Sequence, residues 1–326
     1  TEDGKTTVQI ELDYPAKTQG PVIEEMVRAK LVEAGIPADV KISQNIIAHE
    51  VQRGVKVFDS VRNIIAVSSG KGGVGKSTVS ANLALALQQE GAKVGLLDAD
   101  VYGPSQPTML GITDKPYSVD GKTLEPMIAH GLQVASVGVL IDPDQPMIWR
   151  GPLAVSALQQ LLKQTNWKDL DYLIVDMPPG TGDIQLSLSQ EVPLTGAVVV
   201  TTPQDIALMD ARKGLVMFEK VNVPILGIIE NMATHICSKC GHEEHIFGEG
   251  GAAKMAAQYG VDLLGELPLD INIRLSMDKG EPIVISEPDS TVAQVYRDIA
   301  RKLAIAVSKK NKDYSAKMPS IKVSDT

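Results

Sequence analysis

Between residues 60 and 308 the chain alternates short apolar runs with stretches whose apolar residues recur every three or four positions. The runs are Ile64 to Ser68, Lys93 to Asp98, Leu132 to Val139, Tyr172 to Asp176, Ala197 to Thr201, Ile225 to Asn231 and Asp262 to Glu266. Near-continuous hydrophobicity over so few residues is what a strand buried on both faces requires. The stretches between them carry helical spacing, as in Thr78 to Gln89, where Val79, Leu83 and Leu87 share one face before Gly91 stops the pattern. Strand then helix, repeated, predicts an α/β fold with a mostly parallel, doubly wound sheet and right-handed crossovers.

The pattern differs at both ends. In residues 1–59, Val8, Ile10 and Leu12 alternate as a strand. Ile23, Met26, Val27, Leu31 and Ala34 then fall on one helical face closed by Gly35 and Pro37. Val40 with Ile42, and Val55 with Val57, alternate again, so a small α+β domain is expected ahead of a junction at Phe58 to Asn63. Residues 309–326 are rich in Lys and Ser with few large apolar groups, and are expected to form a disordered tail. The last apolar stripe, Val292, Val295, Ile299 and Leu303, is expected to pack on its own sheet, although an exposed stripe would suit a membrane surface.

Composition narrows the possibilities. With 326 residues, 44% of them apolar, the chain can bury one large α/β core with a small appendage. No apolar run approaches the roughly 18 to 20 residues that span a bilayer, and Thr1 to Lys5 is polar where a signal peptide would be apolar. A soluble, cytoplasmic protein is expected. The formal charge of −9 argues against bulk affinity for nucleic acid, with the lysines at 309, 310, 312, 317 and 322 as the one basic cluster.

The chemistry begins where the first central strand ends. Gly70, Gly75, Lys76 and Ser77 fill the pattern G-x-x-x-x-G-K-[ST], in which backbone N–H groups converge on phosphate oxygens at a helix N-terminus. The nucleotide-binding set is read as Gly70, Lys71, Gly72, Gly73, Val74, Gly75, Lys76, Ser77 and Thr78, with Lys76 on the β- and γ-phosphates and Ser77 on Mg²⁺. Two further strands close on carboxylates, at Asp98 with Asp100 and at Asp176, and ligands of open α/β sheets bind at such carboxyl edges. Asp176 would help fix Mg²⁺. The Pro-Pro-Gly-Thr-Gly-Asp run after it can respond to a γ-phosphate.

Cys237 and Cys240 are the two cysteines of the chain, in the spacing C-x-x-C. That spacing lets both thiolates face one metal centre, yet Fe–S clusters and structural zinc take four ligands. Either His242 and His245 join in the same chain, at a cramped spacing, or a second chain supplies another pair. A bridging cluster, a zinc site, a redox dithiol and an inert thiol pair all remain open on spacing alone.

Lys71, directly after the first glycine, gives the loop a second lysine. The loop resembles the deviant-Walker class that includes ParA, MinD and the nitrogenase iron protein, and in that class the extra lysine reaches nucleotide on the partner subunit. The run Asp98-Ala99-Asp100-Val101-Tyr102-Gly103-Pro104-Ser105, the Pro-Pro-Gly-Thr-Gly-Asp run and Cys237-Ser238-Lys239-Cys240-Gly241-His242 followed by Ile246-Phe247-Gly248 are similar to the Mrp/ApbC branch, over nearly the whole chain.

The resemblance implies that Asp100 positions the attacking water, Asp98 supports Mg²⁺ through its water shell, and Asn231 contacts adenine. Lys71, Lys76 and Asp100 would then be the catalytic set. It also implies an ATP-binding, slowly hydrolysing homodimer in which Cys237 and Cys240 hold a [4Fe–4S] cluster between subunits for transfer to apo-proteins, with neither DNA nor a membrane as principal partner. Hydrolysis would regulate the transfer. The rival expectation is a ParA- or MinD-like positioning ATPase acting on DNA or membrane, which has no need of a C-x-x-C. Residues 1–59 contain no cysteine and are read either as a docking module or as a scaffold that only packs.

Overall fold

In the computed structural model, residues 6–52, 55–139, 151–237 and 239–313 are described. The chain opens with β1 (Thr6–Leu12), α1 (Gly20–Glu33) and β2 (Ala38–Gln44). β1 and β2 pair in parallel, from Thr6 opposite Ala38 to Leu12 opposite Gln44, so this segment is a βαβ unit with α1 as the crossover. The expected strand at Val55 and Val57 does not form, because those residues run as irregular chain into the next strand. Nor does α1 bury a face: Ile23, Val27 and Leu31 are only half-buried against the two strands, and Met26 is 65% exposed.

The main body is an eight-stranded sheet in the order β12-β9-β8-β3-β7-β4-β6-β5. Its strands are β3 (Val61–Ser69), β4 (Val94–Asp98), β5 (Met127–Ala129), β6 (Leu132–Ser136), β7 (Leu170–Asp176), β8 (Gly196–Thr201), β9 (Ile225–Glu230) and β12 (Leu263–Glu266). All neighbours are parallel except β5 and β6, a short antiparallel hairpin at one edge. A two-stranded hairpin outside the sheet is made by β10 (His235–Ile236) and β11 (Glu243–Glu244). The apolar run ending at Val139 is strand only to Ser136 and finishes as a turn of 3₁₀ helix, Val137–Val139.

Alternate residues of the strands face two helical layers. Ile65 and Val67 of β3 look toward α2 (Lys76–Gln89), α8 (Ile271–Asp278), α9 (Ile283–Ser286) and α10 (Thr291–Ser308). Ile64 and Ala66 look toward α4 (Gly151–Gln164), α5 (Asp183–Glu191), α6 (Asp205–Lys220) and α7 (Gly251–Tyr259). This is the doubly wound α/β sheet expected from the pattern, and it explains why its central strands read as unbroken apolar runs. One more short helix, α3 (Gln106–Met109), follows the acidic end of β4. Val292, Ile299 and Leu303 of α10 are buried against this core, so the terminal stripe packs internally.

Several ties join the amino-terminal unit to the main body. Fully buried Glu90 accepts from the Thr18 backbone N–H at 3.0 Å and the Thr18 hydroxyl at 2.6 Å, and also pairs with Arg301. Residues 48–50 pair antiparallel with 311–313: Glu50 N–H donates to Asn311 O at 2.9 Å and Asp313 N–H to Ala48 O at 3.0 Å. The expected disordered tail therefore does not begin at Lys309. Its remainder, from residue 314, lies outside the described residues.

Candidate nucleotide and metal site

β3 ends at Ser69, at the centre of the sheet, and the chain turns through Gly70 to Gly75 into α2. Gly73 and Gly75 adopt φ of +83° and +81°, which side chains resist. A Cβ on Gly70 would lie 2.1 Å from the backbone carbonyl carbon of Asp210 on α6, and one on Gly75 would lie 2.3 Å from Asn231 Nδ2. The loop is therefore pressed between α6 and the end of β9. Gly72 and Gly73 face open space. Gly75 is the N-cap of α2 with no side chain closing its first turn, which leaves those N–H groups and the positive end of the helix dipole for an anion. Thr78, in that first turn, accepts from Asn82 Nδ2 at its carbonyl.

Behind the loop lies a buried polar cluster. Asp98 and Asp176 stand opposite each other in register on β4 and β7, and both are fully buried. Lys76 Nζ is 2.6 Å from Asp176 Oδ1 and 3.3 Å from Ser77 Oγ, and Ser80 Oγ donates to the same carboxylate oxygen at 2.9 Å. The Asp98 carboxylate accepts from the N–H groups of Asp100, Ser105 and Gln106 and from Ser136 Oγ. Burial, and then the neighbouring Asp176 charge, push the Asp98 carboxyl up to about 7 in spite of those donors. Such a pair of carboxylates, one already countered by Lys76, suits a divalent cation arriving with its own charge.

Around this cluster the other expected residues fall in different places. Asp100 is nearly buried, and its Oδ1 accepts from the N–H groups of Tyr102 and Gly103 at 3.3 and 3.2 Å, closing a turn. Lys71 is half-exposed at the rim and pairs with no carboxylate among the described residues. Asn231, one residue past β9, donates from Nδ2 to Val74 O at 2.9 Å and so braces the loop itself. Gln106 also belongs to the cluster, although it fills no motif position. It is fully buried and donates from Nε2 to Ser77 O at 3.0 Å and to Asp176 Oδ2 at 2.9 Å. Only its position just beyond the acidic run pointed to it.

The cysteines sit on the turn between β10 and β11. Cys237 N–H donates to His242 O at 2.9 Å and Gly241 N–H returns to Cys237 O at 2.8 Å, with Gly241 at a φ of +70°. The N–H groups of Lys239 and Cys240, followed by the Cys240 thiol, hold the Cys237 thiol below its ordinary range, favouring the thiolate that binds metal. Cys237 is half-buried and Cys240 is exposed. Among the described residues no third Cys, His, Asp or Glu gathers with them to complete a metal site. His245 instead donates through Nδ1 to Ala233 O at 2.9 Å.

A phosphate loop on the central strand of a parallel sheet, with a buried lysine–carboxylate pair behind it, defines a P-loop NTPase. The chain belongs to the family described as ParA, NUBPL iron-transfer P-loop NTPase, which matches residues 60–304. It is 55% identical over 303 residues to the iron-sulfur cluster carrier protein of Salmonella typhimurium, covering 91% of this chain and 82% of that one. A nucleotide-binding protein of Archaeoglobus fulgidus, solved in complex with ADP, superposes with a TM-score of 0.63 at 37% identity, over 73% of this chain and 93% of its own. The cell division ATPase MinD of Pyrococcus furiosus shares the fold, with a TM-score of 0.58 at 24% identity over 74% of this chain and 98% of its own.

Proposed function

We propose that the chain is an ATP-binding, slowly hydrolysing homodimer that carries an iron–sulfur cluster between its subunits and passes it to apo-proteins in the cytoplasm. The observation that carries this reading is a metal-ready turn with two thiols and no third ligand among the described residues, on a chain that also bears a two-lysine phosphate loop. Two identical chains meeting at a two-fold axis complete a Cys₄ set, as a [4Fe–4S] cargo requires. The name of the Salmonella relative agrees with this cargo. Anaerobic reconstitution with iron and sulfide, followed by iron, sulfide, zinc and mass analysis, tests it. One cluster per dimer is expected, and stoichiometric zinc without sulfide would replace the carrier with a structural metal turn.

In this reading Lys76 and the loop N–H groups hold the phosphates, with Asn231 beside the base. Ser77, Asp98 and Asp176 serve Mg²⁺, and Lys71 reaches across the dimer. Asp100 orients the attacking water. Asp100→Ala is expected to bind ATP within about threefold of wild type while turnover falls about 100-fold. Asp100→Asn keeps an acceptor for the Tyr102–Gly103 turn, so an equal loss in both variants assigns the effect to the carboxylate. Wild-type turnover in either would remove Asp100 from the mechanism.

Neither DNA nor a lipid surface is proposed as a partner. The apolar stripe of α10 is spent on the core, and among the described residues no helix is long and apolar enough to cross a membrane. Sedimentation with duplex DNA or with acidic vesicles at physiological salt, with and without ATP, is expected to leave the protein in the supernatant. ATP-dependent retention on either would support a positioning ATPase instead.

A further inference from the structure

Gln106 opens α3 and meets three parts of the nucleotide site at once. Its backbone N–H donates to Asp98 Oδ2 at 3.2 Å, and its side-chain nitrogen donates to Ser77 O at 3.0 Å and to Asp176 Oδ2 at 2.9 Å. Those two acceptors settle which end of the amide is which, since a flipped amide would set oxygen against a carbonyl and a carboxylate. Oε1 is then left buried without a donor. A buried acceptor in that condition costs free energy that an apolar residue of the same length would not incur.

The neighbouring acceptors are differently placed. Asp176 Oδ1 already takes Lys76 and Ser80, and Asp98 takes three N–H groups and the Ser136 hydroxyl. Magnesium keeps several of its waters when one or two carboxylates and a phosphate bind it, and each of those waters brings protons that need acceptors. We propose that Gln106 is a positioning residue for the divalent cation of the nucleotide site: Nε2 holds the Asp176 carboxylate against the Ser77 backbone, and Oε1 accepts from a water of the cation. The inference rests on the proposed binding of Mg²⁺ and ATP.

The test is equilibrium binding of a fluorescent ATP analogue to the full chain, titrated with Mg²⁺ from an EDTA baseline, for wild type and Gln106→Met. Binding without Mg²⁺ is expected to agree within about twofold, while the Mg²⁺ concentration at half effect rises about tenfold in the variant. Turnover of the variant is expected to recover when Mg²⁺ is raised by that factor, which a purely structural defect would not do. An unchanged Mg²⁺ midpoint, or an equal loss of binding with and without Mg²⁺, would overturn the proposal while leaving the ATP-binding reading intact. A wild-type chain that binds no analogue overturns both. Should Gln106→Met not fold, Gln106→Ala removes the amide without adding volume and is read by the same criteria.

Discussion

Lys76→Ala is expected to lower the affinity for a fluorescent ATP analogue by more than about 100-fold, measured at equilibrium with saturating Mg²⁺. Lys76 is 6% exposed, and among the described residues its ammonium is the one cation in contact with the fully buried Asp176. Charge-assisted hydrogen bonds in such a water-poor setting are stronger than those at a surface. Removing the lysine also strands that carboxylate opposite Asp98, so the variant is expected to lose about 3 kcal/mol of stability in urea unfolding. The two effects separate in Lys76→Ala/Asp176→Asn. Neutralising Asp176 should restore part of the stability, because the carboxylate that lost its lysine no longer carries a charge, whereas nucleotide binding should remain lost. If the double variant recovers binding, the lysine acts by neutralising Asp176 and not by holding phosphate.

Most of what positions this site was legible in the sequence, for identifiable reasons. The strands from Ile64, Val94, Tyr172, Ala197 and Ile225 are buried on both faces, so each announces itself as an apolar run without help from distant residues. The phosphate loop is nearly as local, since Gly73 and Gly75 are required by their own backbone angles, although Gly70 answers to the close approach of another helix. β5, of three residues, and β10 and β11, of two each, are too short to display any period and exist through their partners.

The misreadings have the same origin. Val55 and Val57 alternate but find no strand to pair with, and the apolar face of α1 has only two strands to cover it. The Lys-rich end looked disordered by composition, yet its first residues pair with 48–50 through backbone groups that composition does not report. Gln106 is the sharpest case. Its partners lie 29 and 70 positions away, so its part in the site follows from topology, and its place just beyond the acidic run is the one local sign of it.

The second large effect concerns the thiols. Cys237→Ala and Cys240→Ala are each expected to abolish the iron chromophore and transfer to an apo-acceptor after anaerobic reconstitution, while ATP-analogue binding stays within about twofold of wild type. The separation follows from position: the cysteines occupy an external hairpin, whereas Asp176 of β7, Asp210 of α6, Gln106 of α3 and Asn231 press on the phosphate loop. Stability should change by less than about 1 kcal/mol, because Cys240 is exposed and the turn is held by backbone bonds between Cys237, Gly241 and His242 that alanine preserves. Losing one thiol removes two ligands from a symmetric dimer, so a half-loaded product is not expected. The thiolate preference of Cys237 adds a kinetic check: in metal-free protein it should react with iodoacetamide faster than Cys240, since two backbone N–H groups stabilise its charge. A single-cysteine variant that still binds a full cluster as a monomer would show that ligands beyond the pair complete the site, and the dimeric carrier would fall with it.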